Sequence, residues 1–512
     1  MAIVTVQPVT STADGARRLK LESPATRETL GEIRVLNAAE VRARVAAARR
    51  AQPAFAALGF ARRAEIMQRA LSILLAQEDR FIDVIVGETG RSRMETLMME
   101  LFPACDSLAY YSKHAERLLR DESPSLHLMK AKKLVISYRP LGVVGIITPW
   151  NGPFVLSLNP TVQALMAGNA VVLKPSEITP FSGKLVGELF KEAGLPPDVL
   201  QVLEGDGETG AALVEGGVDK ISFTGSVATG RKIGEACGRN LVPCTLELGG
   251  KNPSIVCADA DIPRAAKGCV VGAFLNAGQF CCATARVYVV ESVADEFTKR
   301  VVEYVRSLKQ GTRGEFDLGP AIWPRQMEVI ERHVKDAVAR GASVLTGGGR
   351  NRALGDLFFE PTVLTQVTGE MQVMREETFG PVLTIVRVRD EAEALQKAND
   401  TSYGLAAAIW TRDPKKALEL GRSIEAGHVC MNDTSMTYGI HEAPFGGRKQ
   451  SGLGQVHGPS GLKGYCFAQS IVLERFPLGQ EDAWYPYTAA KASSMRKAMR
   501  FIFGSKLGRL FT

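Results

Sequence analysis

A cysteine pair and one glutamate are the residues in this sequence best suited to covalent chemistry. Cys281 and Cys282 follow Gly-Gln-Phe at 278–280, which fits poorly in a packed strand. An ionised cysteine is the strongest nucleophile among ordinary side chains, although adjacent cysteines are also common in protein cores. Glu247 lies between two leucines and precedes two glycines, so partial desolvation would raise its pKa toward that of a general base. The alternative for Glu247 is a buried ion pair.

Asn151 is a candidate for stabilising negative charge. It ends the sequence Thr148-Pro149-Trp150-Asn151, directly after a β-rich run at 143–147. A neutral, preorganised amide donor can stabilise a developing oxyanion. The alternative is an asparagine that only completes a turn.

Two glycine-containing turns could hold a pyrophosphate. The first has glycines at 205, 207 and 210, and it matches the spacing of the dinucleotide-binding fingerprint. The second is Phe223-Thr224-Gly225-Ser226, with Gly230 in the helix that follows. Backbone N–H groups at a helix N-terminus bind anions. Spacing alone leaves tight turns with positive φ as an equal alternative for both.

Lys174 and Glu177 directly follow a predicted strand at 170–173. In an open parallel sheet, ligands bind beyond the carboxyl ends of the strands. Both side chains could therefore bind ribose hydroxyls, and an acidic residue there favours NAD over NADP. The alternative is a surface ion pair.

The elements that must position these residues alternate between strand and helix, which predicts parallel, doubly wound sheets. Long helices are predicted over 39–77, broken at Pro53 and Gly59. An exposed hairpin is predicted at 126–138, and a late strand at 464–473 could pair with it or with another subunit. The predicted strands of the two α/β series are 143–148, 170–173, 199–203, 220–223, 254–257, 285–290, 343–345, 382–388 and 406–410.

Composition excludes several classes of protein. The 512 residues predict two or three domains, and 45% of them are hydrophobic. The net charge is +7, of which six charges lie between 491 and 512, so the body lacks a nucleic-acid surface. The six histidines lack metal-ligand spacing, which predicts that no metal is bound. Nine scattered cysteines, no leader-like start and no run of about 20 apolar residues favour the cytoplasm.

The C-terminal segment, 478–512, is basic and amphipathic. Its composition suits a helix that lies on an anionic membrane surface. The alternative is a helix docked on the body or on a neighbouring subunit, favoured because Gly504 interrupts the pattern. The apolar positions near one helical face are Met495, Met499, Ile502, Phe503 and Leu510, with Arg496, Lys497, Arg500 and Arg509 interspersed.

Taken together and in order, these motifs closely resemble the aldehyde dehydrogenase superfamily, from about Pro24 to about Leu473. The set is completed by Glu376-Glu377-Thr378-Phe379-Gly380-Pro381, by Asn399-Asp400-Thr401 and by Pro444-Phe445-Gly446-Gly447. The resemblance implies two doubly wound open-sheet domains, one Rossmann-like for the cofactor and one catalytic, with a small β oligomerisation arm. It places the NAD-binding domain at 1–122 and 140–246, the catalytic domain at 247–442 and the arm at 123–139 and 463–477. A homodimer or homotetramer is expected.

The resemblance also implies the roles of individual residues in oxidising an aldehyde substrate to a carboxylic acid. Cys281 is the nucleophile, Glu247 the base, and Asn151 with the backbone N–H of Cys281 forms the oxyanion hole. NAD is the expected cofactor, with NADP possible. The glycines at 205–210 contribute little or nothing in this family, although Gly207 stays among the candidates. The expected cofactor-binding residues are Thr148, Pro149, Trp150, Lys174, Glu177, Gly207, Gly225, Ser226, Leu248, Glu377 and Phe379.

Two departures from the family pattern are Pro160, where many members have a lysine, and Gln163, where a proline is common. A proline at 160 rules out a proton relay through that side chain. Flanking motifs resemble those of bacterial succinate-semialdehyde dehydrogenases. A broad range of aldehydes, or an apolar aldehyde, is equally compatible with the sequence. Two rival interpretations are a CoA-acylating aldehyde dehydrogenase and a non-catalytic homologue. CoA-acylating relatives typically have no base at the position of Glu247.

Overall fold

A computed structural model of the chain describes residues 7–9, 17–476, 479–481 and 483–507. Arg509 and Leu510 of the predicted amphipathic tail lie outside these residues. The strands are β1 (Gln7–Val9), β2 (Arg18–Glu22), β3 (Thr29–Arg34), β4 (Lys132–Pro140), β5 (Val143–Ile147), β6 (Ala170–Lys174), β7 (Leu200–Val202), β8 (Lys220–Thr224), β9 (Cys244–Glu247), β10 (Asn252–Val256), β11 (Thr284–Val290), β12 (Ser343–Thr346), β13 (Thr362–Thr365), β14 (Val382–Val388), β15 (Ala406–Trp410), β16 (His428–Met431), β17 (Gly452–Leu453) and β18 (Cys466–Glu474).

The helices connect and cover these strands. They are α1 (Ala38–Ala57), α2 (Gly59–Ala76), α3 (Glu78–Thr89), α4 (Arg93–Thr96), α5 (Phe102–Leu119), α6 (Val155–Met166), α7 (Pro180–Glu192), α8 (Gly207–Val214), α9 (Val227–Asn240), α10 (Ile262–Phe274), α11 (Glu291–Ser307), α12 (Pro324–Ala339), α13 (Gln372–Arg375), α14 (Glu391–Asn399), α15 (Pro414–Ser423), α16 (Gly458–Lys463) and α17 (Ala489–Gly504), with a π-helical turn at Leu97–Leu101 and 3₁₀ turns at Leu275–Gly278, Met436–Gly439 and Lys449–Ser451.

The first large sheet has the strand order β17-β9-β8-β5-β6-β7. Strands β5 to β9 pair in parallel, and β17 adds an antiparallel edge. Every residue of β5 and β6 is buried, as expected for parallel strands covered by helices on both faces. Separate apolar clusters pack on this sheet, one with α2, α5, α6 and α7 and the other with α1, α8 and α9.

The second large sheet has the order β12-β13-β14-β11-β10-β15-β16, parallel except for the β12–β13 edge pair. The two sheets confirm the predicted α/β class. Glu247 ends β9 in the first sheet and Asn252 begins β10 in the second, so four residues link them. The carboxyl end of the first sheet therefore lies close to the amino end of the second sheet, and Glu247 lies at this junction.

A two-stranded antiparallel ribbon joins β4 and β18 through nine residue pairs. The late strand therefore pairs within the chain, with a strand from the segment predicted as a hairpin. That hairpin is wrong in one respect: the β-rich residues of 126–138 form one long strand whose partner is β18. An isolated two-stranded ribbon is marginally stable, and Phe467 and Val472 leave apolar surface exposed on this one.

The predicted helix break at Pro53 is wrong, whereas Gly59 does begin a new helix. Pro53 lies inside α1. Its side chain is exposed, while Val45, Ala48 and Phe55 bury the opposite face of the same helix. The packing of that face outweighs the single backbone hydrogen bond that proline removes.

The C-terminal helix α17 buries none of its residues. Gly504 is its last residue rather than an interruption. Its apolar side chains Met495, Met499 and Phe503 are all about half exposed. Within the described part of the chain, every helix is too short or too polar to cross a membrane.

Candidate active site

Cys281 and Glu247 line the same small cavity, together with Pro160, Gln163 and Tyr438. Cys281 is half-buried in the loop before β11, and Glu247 is the last residue of β9. The cavity measures about 20 Å³. This space is enough for one water molecule, which needs roughly 10–15 Å³ by this kind of measure.

The Glu247 carboxyl is buried, and neither of its oxygens has a hydrogen-bond partner among the described residues. Burial raises the pKa of Glu247 well above its ordinary value, and the nearby Cys281 raises it further. The predicted desolvation is therefore confirmed. The alternative of a buried ion pair is wrong, because no cation of the described chain bonds to Glu247.

Three consecutive residues with positive φ shape the loop before Cys281: Asn276, Ala277 and Gly278. A Cβ on Gly278 would lie 2.2 Å from the carbonyl oxygen of Gly380, so glycine is required there. The Asn276 amide nitrogen donates to the backbone oxygens of Asn151 and Gln279, at 3.1 and 3.0 Å. The loop that carries Cys281 is thereby fixed to the backbone of Asn151.

A buried ion pair fixes Asn151 from the other side. Arg91 donates to the carbonyl oxygen of Asn151, and its guanidinium lies 2.9 Å from Glu100. The side chains of Arg91 and Glu100 are 1% and 0% exposed. The second oxygen of Glu100 accepts the N–H groups of Phe154 and Val155 at the start of α6.

These buried contacts were not predicted from the sequence. The available signal was four charged residues within 91–101, interspersed with methionines and leucines. Glu95, in the same stretch, accepts the backbone N–H of Asn276. Charged groups buried in such a stretch need partners.

The turn at Gly225 and Ser226 leads from β8 into the 14-residue helix α9. Gly225 donates its N–H to the backbone oxygen of Glu247 at 2.9 Å. Ser226 caps the helix through the N–H of Thr229. A Cβ on Gly230 would lie 2.5 Å from Leu248, so a small residue lets these elements meet. The turn thus brings a helix N-terminus, a favourable place for an anion, next to the Glu247 strand.

Lys174 and Glu177 lie at the carboxyl end of β6 with Nζ 3.0 Å from the carboxylate oxygen. The ion pair is therefore present, but it is not the surface pair of the alternative, because the Lys174 side chain is only 4% exposed. The backbone N–H of Thr148 donates to the carbonyl oxygen of Lys174, so β5 and β6 end together. Pro149 follows Thr148 and is half-buried.

Glu377, Phe379 and Trp150 lie where the two sheets meet. Glu377 accepts the N–H of Gly250 at 2.9 Å. Burial raises the pKa of Glu377 to about 7, and that hydrogen bond opposes the shift. A Cβ on Gly249 would approach the Glu377 carboxyl to 2.1 Å, so a larger residue at 249 would displace this carboxyl. The ring of Phe379 packs edge-on against Trp150 with centroids 5.3 Å apart.

The first glycine turn has a structural explanation. A Cβ on Gly205 would lie 2.1 Å from the Thr209 hydroxyl oxygen, so the turn itself requires glycine. Gly207 begins α8, where the Asp206 side chain caps the helix and pairs with Arg17. Carboxylates at the helix start disfavour a pyrophosphate. A cofactor contact at Gly207 stays a prediction.

One cluster of possible metal ligands lies away from this site. Ligand atoms of Cys257, Asp259 and Glu391 lie within 4.8 Å of one another. The Lys416 ammonium binds the carboxylates of Asp259 and Glu391 at 3.2 and 3.3 Å. This cation already pairs with both carboxylates, so the cluster gives no reason to infer a metal.

The chain is similar in sequence to known proteins over most of its length. Residues 10–471 match the model of the aldehyde dehydrogenase family. A Mycolicibacterium smegmatis protein named as a succinate-semialdehyde dehydrogenase (NADP⁺) is 41% identical over 466 residues, 90% of each chain. A 4,4'-diapolycopene aldehyde oxidase from a Methylomonas species is 38% identical over 94% of this chain and 91% of its own.

Solved structures show the same fold. The aldehyde dehydrogenase of Mycobacterium tuberculosis in complex with NAD⁺ superimposes with a TM-score of 0.85 and is 33% identical. The match covers 93% of this chain and 97% of the other. The chain belongs to the aldehyde dehydrogenase family, and it is an enzyme that oxidises an aldehyde with NAD(P).

Proposed function

We propose that Cys281 and Glu247 act as nucleophile and general base in a hydrolytic aldehyde dehydrogenase. The observation that supports this most strongly is their position on one water-sized cavity, where both Glu247 oxygens lack partners. A buried carboxyl without partners costs stability and calls for a functional explanation.

The proposed reaction begins when the Cys281 thiolate attacks the aldehyde carbon. The Asn151 side-chain amide and the backbone N–H of Cys281 stabilise the oxygen that becomes negative, an effect of about 3–4 kcal/mol per donor. NAD(P), when bound, accepts the hydride that leaves this carbon. Cys281 then carries a thioester. Glu247 removes a proton from a water molecule, for which the cavity has room, and attack of that water on the thioester releases the acid and the Cys281 thiolate.

The residues around α9 and Glu377 are suited to holding the cofactor. The α9 N-terminus at Gly225 and Ser226 fits the pyrophosphate, and Lys174 with Glu177 fits the adenosine ribose. Glu377 fits the second ribose, and the Trp150–Phe379 pair offers an apolar surface for the nicotinamide. The carboxylate of Glu177 favours NAD over NADP, because it would repel a 2′-phosphate. Thr148, Pro149 and Leu248 complete this proposed site.

Glu247 also separates the proposed reaction from its nearest rival. A CoA-acylating relative passes the acyl group to a thiol and needs no base for water. A buried base beside a water-sized space favours hydrolysis.

The remaining proposals concern assembly. The β4–β18 ribbon exposes apolar side chains, which supports its role as an oligomerisation arm in a homodimer or homotetramer. The proposed domain limits are those expected from the sequence. The exposed basic helix α17 supports peripheral contact with an anionic membrane, since it packs little surface against the body.

The test of the proposed chemistry is rapid mixing of a Glu247→Gln variant with saturating NAD⁺ and aldehyde. Hydride transfer precedes the step that needs the base, so about one NADH per active site should form in a burst. Steady turnover should then be at least about 100-fold slower than in the wild type. Glu296→Gln, at an exposed position on α11, is the control and should behave as wild type. Equal slowing of the burst and the steady phase would refute the assignment of Glu247.

A further inference from the structure

A much larger cavity, of about 1370 Å³, lies beside the Cys281 site. Phe280, the residue before Cys281, lines it, and Tyr438 lines both this cavity and the small one. Binding pockets for small molecules commonly measure about 300–1,000 Å³. The space next to the proposed nucleophile therefore exceeds the needs of a four-carbon substrate.

The wall of this cavity is mainly apolar. It comes from four stretches far apart in sequence: the end of α2, residues 94–105, one face of α10 and the loop at 432–439. Several of its side chains are large, apolar and about half exposed or more, which is costly in water unless a ligand covers them. Methionine side chains are flexible, so they allow such a wall to adapt its shape to a ligand. These side chains are Leu75, Met94, Met98, Phe102 and Val271.

The charged residues of the cavity do not favour an anionic substrate. Its two cations lie on α10 and are exposed: Arg264 donates to the backbone oxygen of Asn432, and Lys267 lies over the Tyr304 ring. Three exposed carboxylates also line the cavity, so the net charge of the described lining is −1. They belong to Glu78, Asp261 and Asp433. A substrate carboxylate would find no buried cation in this wall.

We infer that the enzyme oxidises long, apolar aldehydes in preference to short or carboxylated ones such as succinate semialdehyde. The large cavity binds the hydrocarbon chain, and the aldehyde carbon reaches Cys281 past Phe280 and Tyr438. The inference rests on the proposed role of Cys281.

The experiment measures kcat/KM for unbranched aldehydes from butanal to dodecanal and for succinate semialdehyde, with NADH absorbance as the signal. Each added methylene that leaves water should raise kcat/KM about fourfold. Succinate semialdehyde should be at least tenfold poorer than butanal. A flat series, or a preference for succinate semialdehyde, would overturn the inference while leaving the role of Cys281 intact. Absence of turnover with every aldehyde would refute the proposed function itself.

A paired substitution tests the location of the chain-binding wall. Val271→Arg places a cation in the cavity at a position 55% exposed, and Val338→Arg makes the same change on α12 at a position 47% exposed. Val271→Arg should flatten the dependence of kcat/KM on chain length. It should also raise the kcat/KM for succinate semialdehyde, relative to that for butanal, at least tenfold. Val338→Arg should leave both unchanged. Identical profiles for the two variants would contradict the assignment, and Met98→Arg provides a second test of the same wall.

Discussion

Replacing Glu100 by glutamine should destabilise the protein. It should also lower the turnover rate, although the substitution lies at a distance from the reacting atoms. The substitution keeps the side-chain size but removes the charge opposite Arg91. Both members of this pair are almost fully buried, so solvent does not screen the loss. Breaking a buried ion pair on one side costs about 3–5 kcal/mol. We expect about 3 kcal/mol, the lower end of this range, because glutamine keeps an oxygen that can accept the N–H groups of Phe154 and Val155.

The effect on activity follows from the contact between Arg91 and the backbone of Asn151. A shift of about 1 Å in a group that positions the reaction can cost 100-fold in rate. Denaturant unfolding gives the free energy of unfolding, and steady-state kinetics at a temperature where the variant is folded gives kcat/KM. We expect kcat to fall and the KM for NAD⁺ to change little.

Two controls distinguish the effect of breaking this buried pair from the effect of removing a charge elsewhere. Glu296→Gln breaks an exposed pair with Arg300 and should leave the free energy of unfolding unchanged within experimental error. In an Arg91→Met/Glu100→Gln double variant, the unpaired buried cation is gone, so the loss should be smaller than the sum of the single losses. A Glu100→Gln variant with less than about 1 kcal/mol of destabilisation and an unchanged kcat would refute the reasoning.

Other predictions follow from the same geometry. The rate of thioester hydrolysis should rise with pH through the raised pKa of Glu247, since only the carboxylate accepts a proton; a Glu247→Gln variant should lose this rise, and a persisting rise would contradict the role of the base. Glu177→Gln should increase the kcat/KM ratio of NADP over NAD about tenfold, equivalent to about 1.4 kcal/mol; an unchanged ratio would mean that Glu177 does not face the 2′ position. Full-length protein should co-sediment with phosphatidylserine vesicles more than a chain ending at residue 478, and equal binding would exclude α17 as the contact.

The burial of Glu247 and most strands were predictable because their signals are local. Glu247 stands between leucines before two glycines, and fully apolar runs such as β5 mark buried parallel strands. The strand limits at 382–388 and 406–410 match the structure at both ends. The local rule that proline breaks a helix failed at Pro53, because the packing of one α1 face outweighed the loss of a backbone hydrogen bond.

The unpredicted features are contacts between segments far apart in sequence. Arg91 and Asn151 meet across 60 positions. Neither residue shows by its type or its neighbours that the other lies beside it. The large apolar cavity likewise draws on α2, α10 and the loop at 432–439, and each segment alone resembles an ordinary surface with a few exposed apolar residues.

The most direct test of the account is to trap the acyl group on Cys281. A Glu247→Gln variant incubated with NAD⁺ and aldehyde, quenched in acid and digested, should yield the peptide containing Cys281 with the added mass of the acyl group. Cys282, buried beside it, should stay unmodified. An adduct on another residue, or a burst of NADH with no adduct on Cys281, would contradict the central claim.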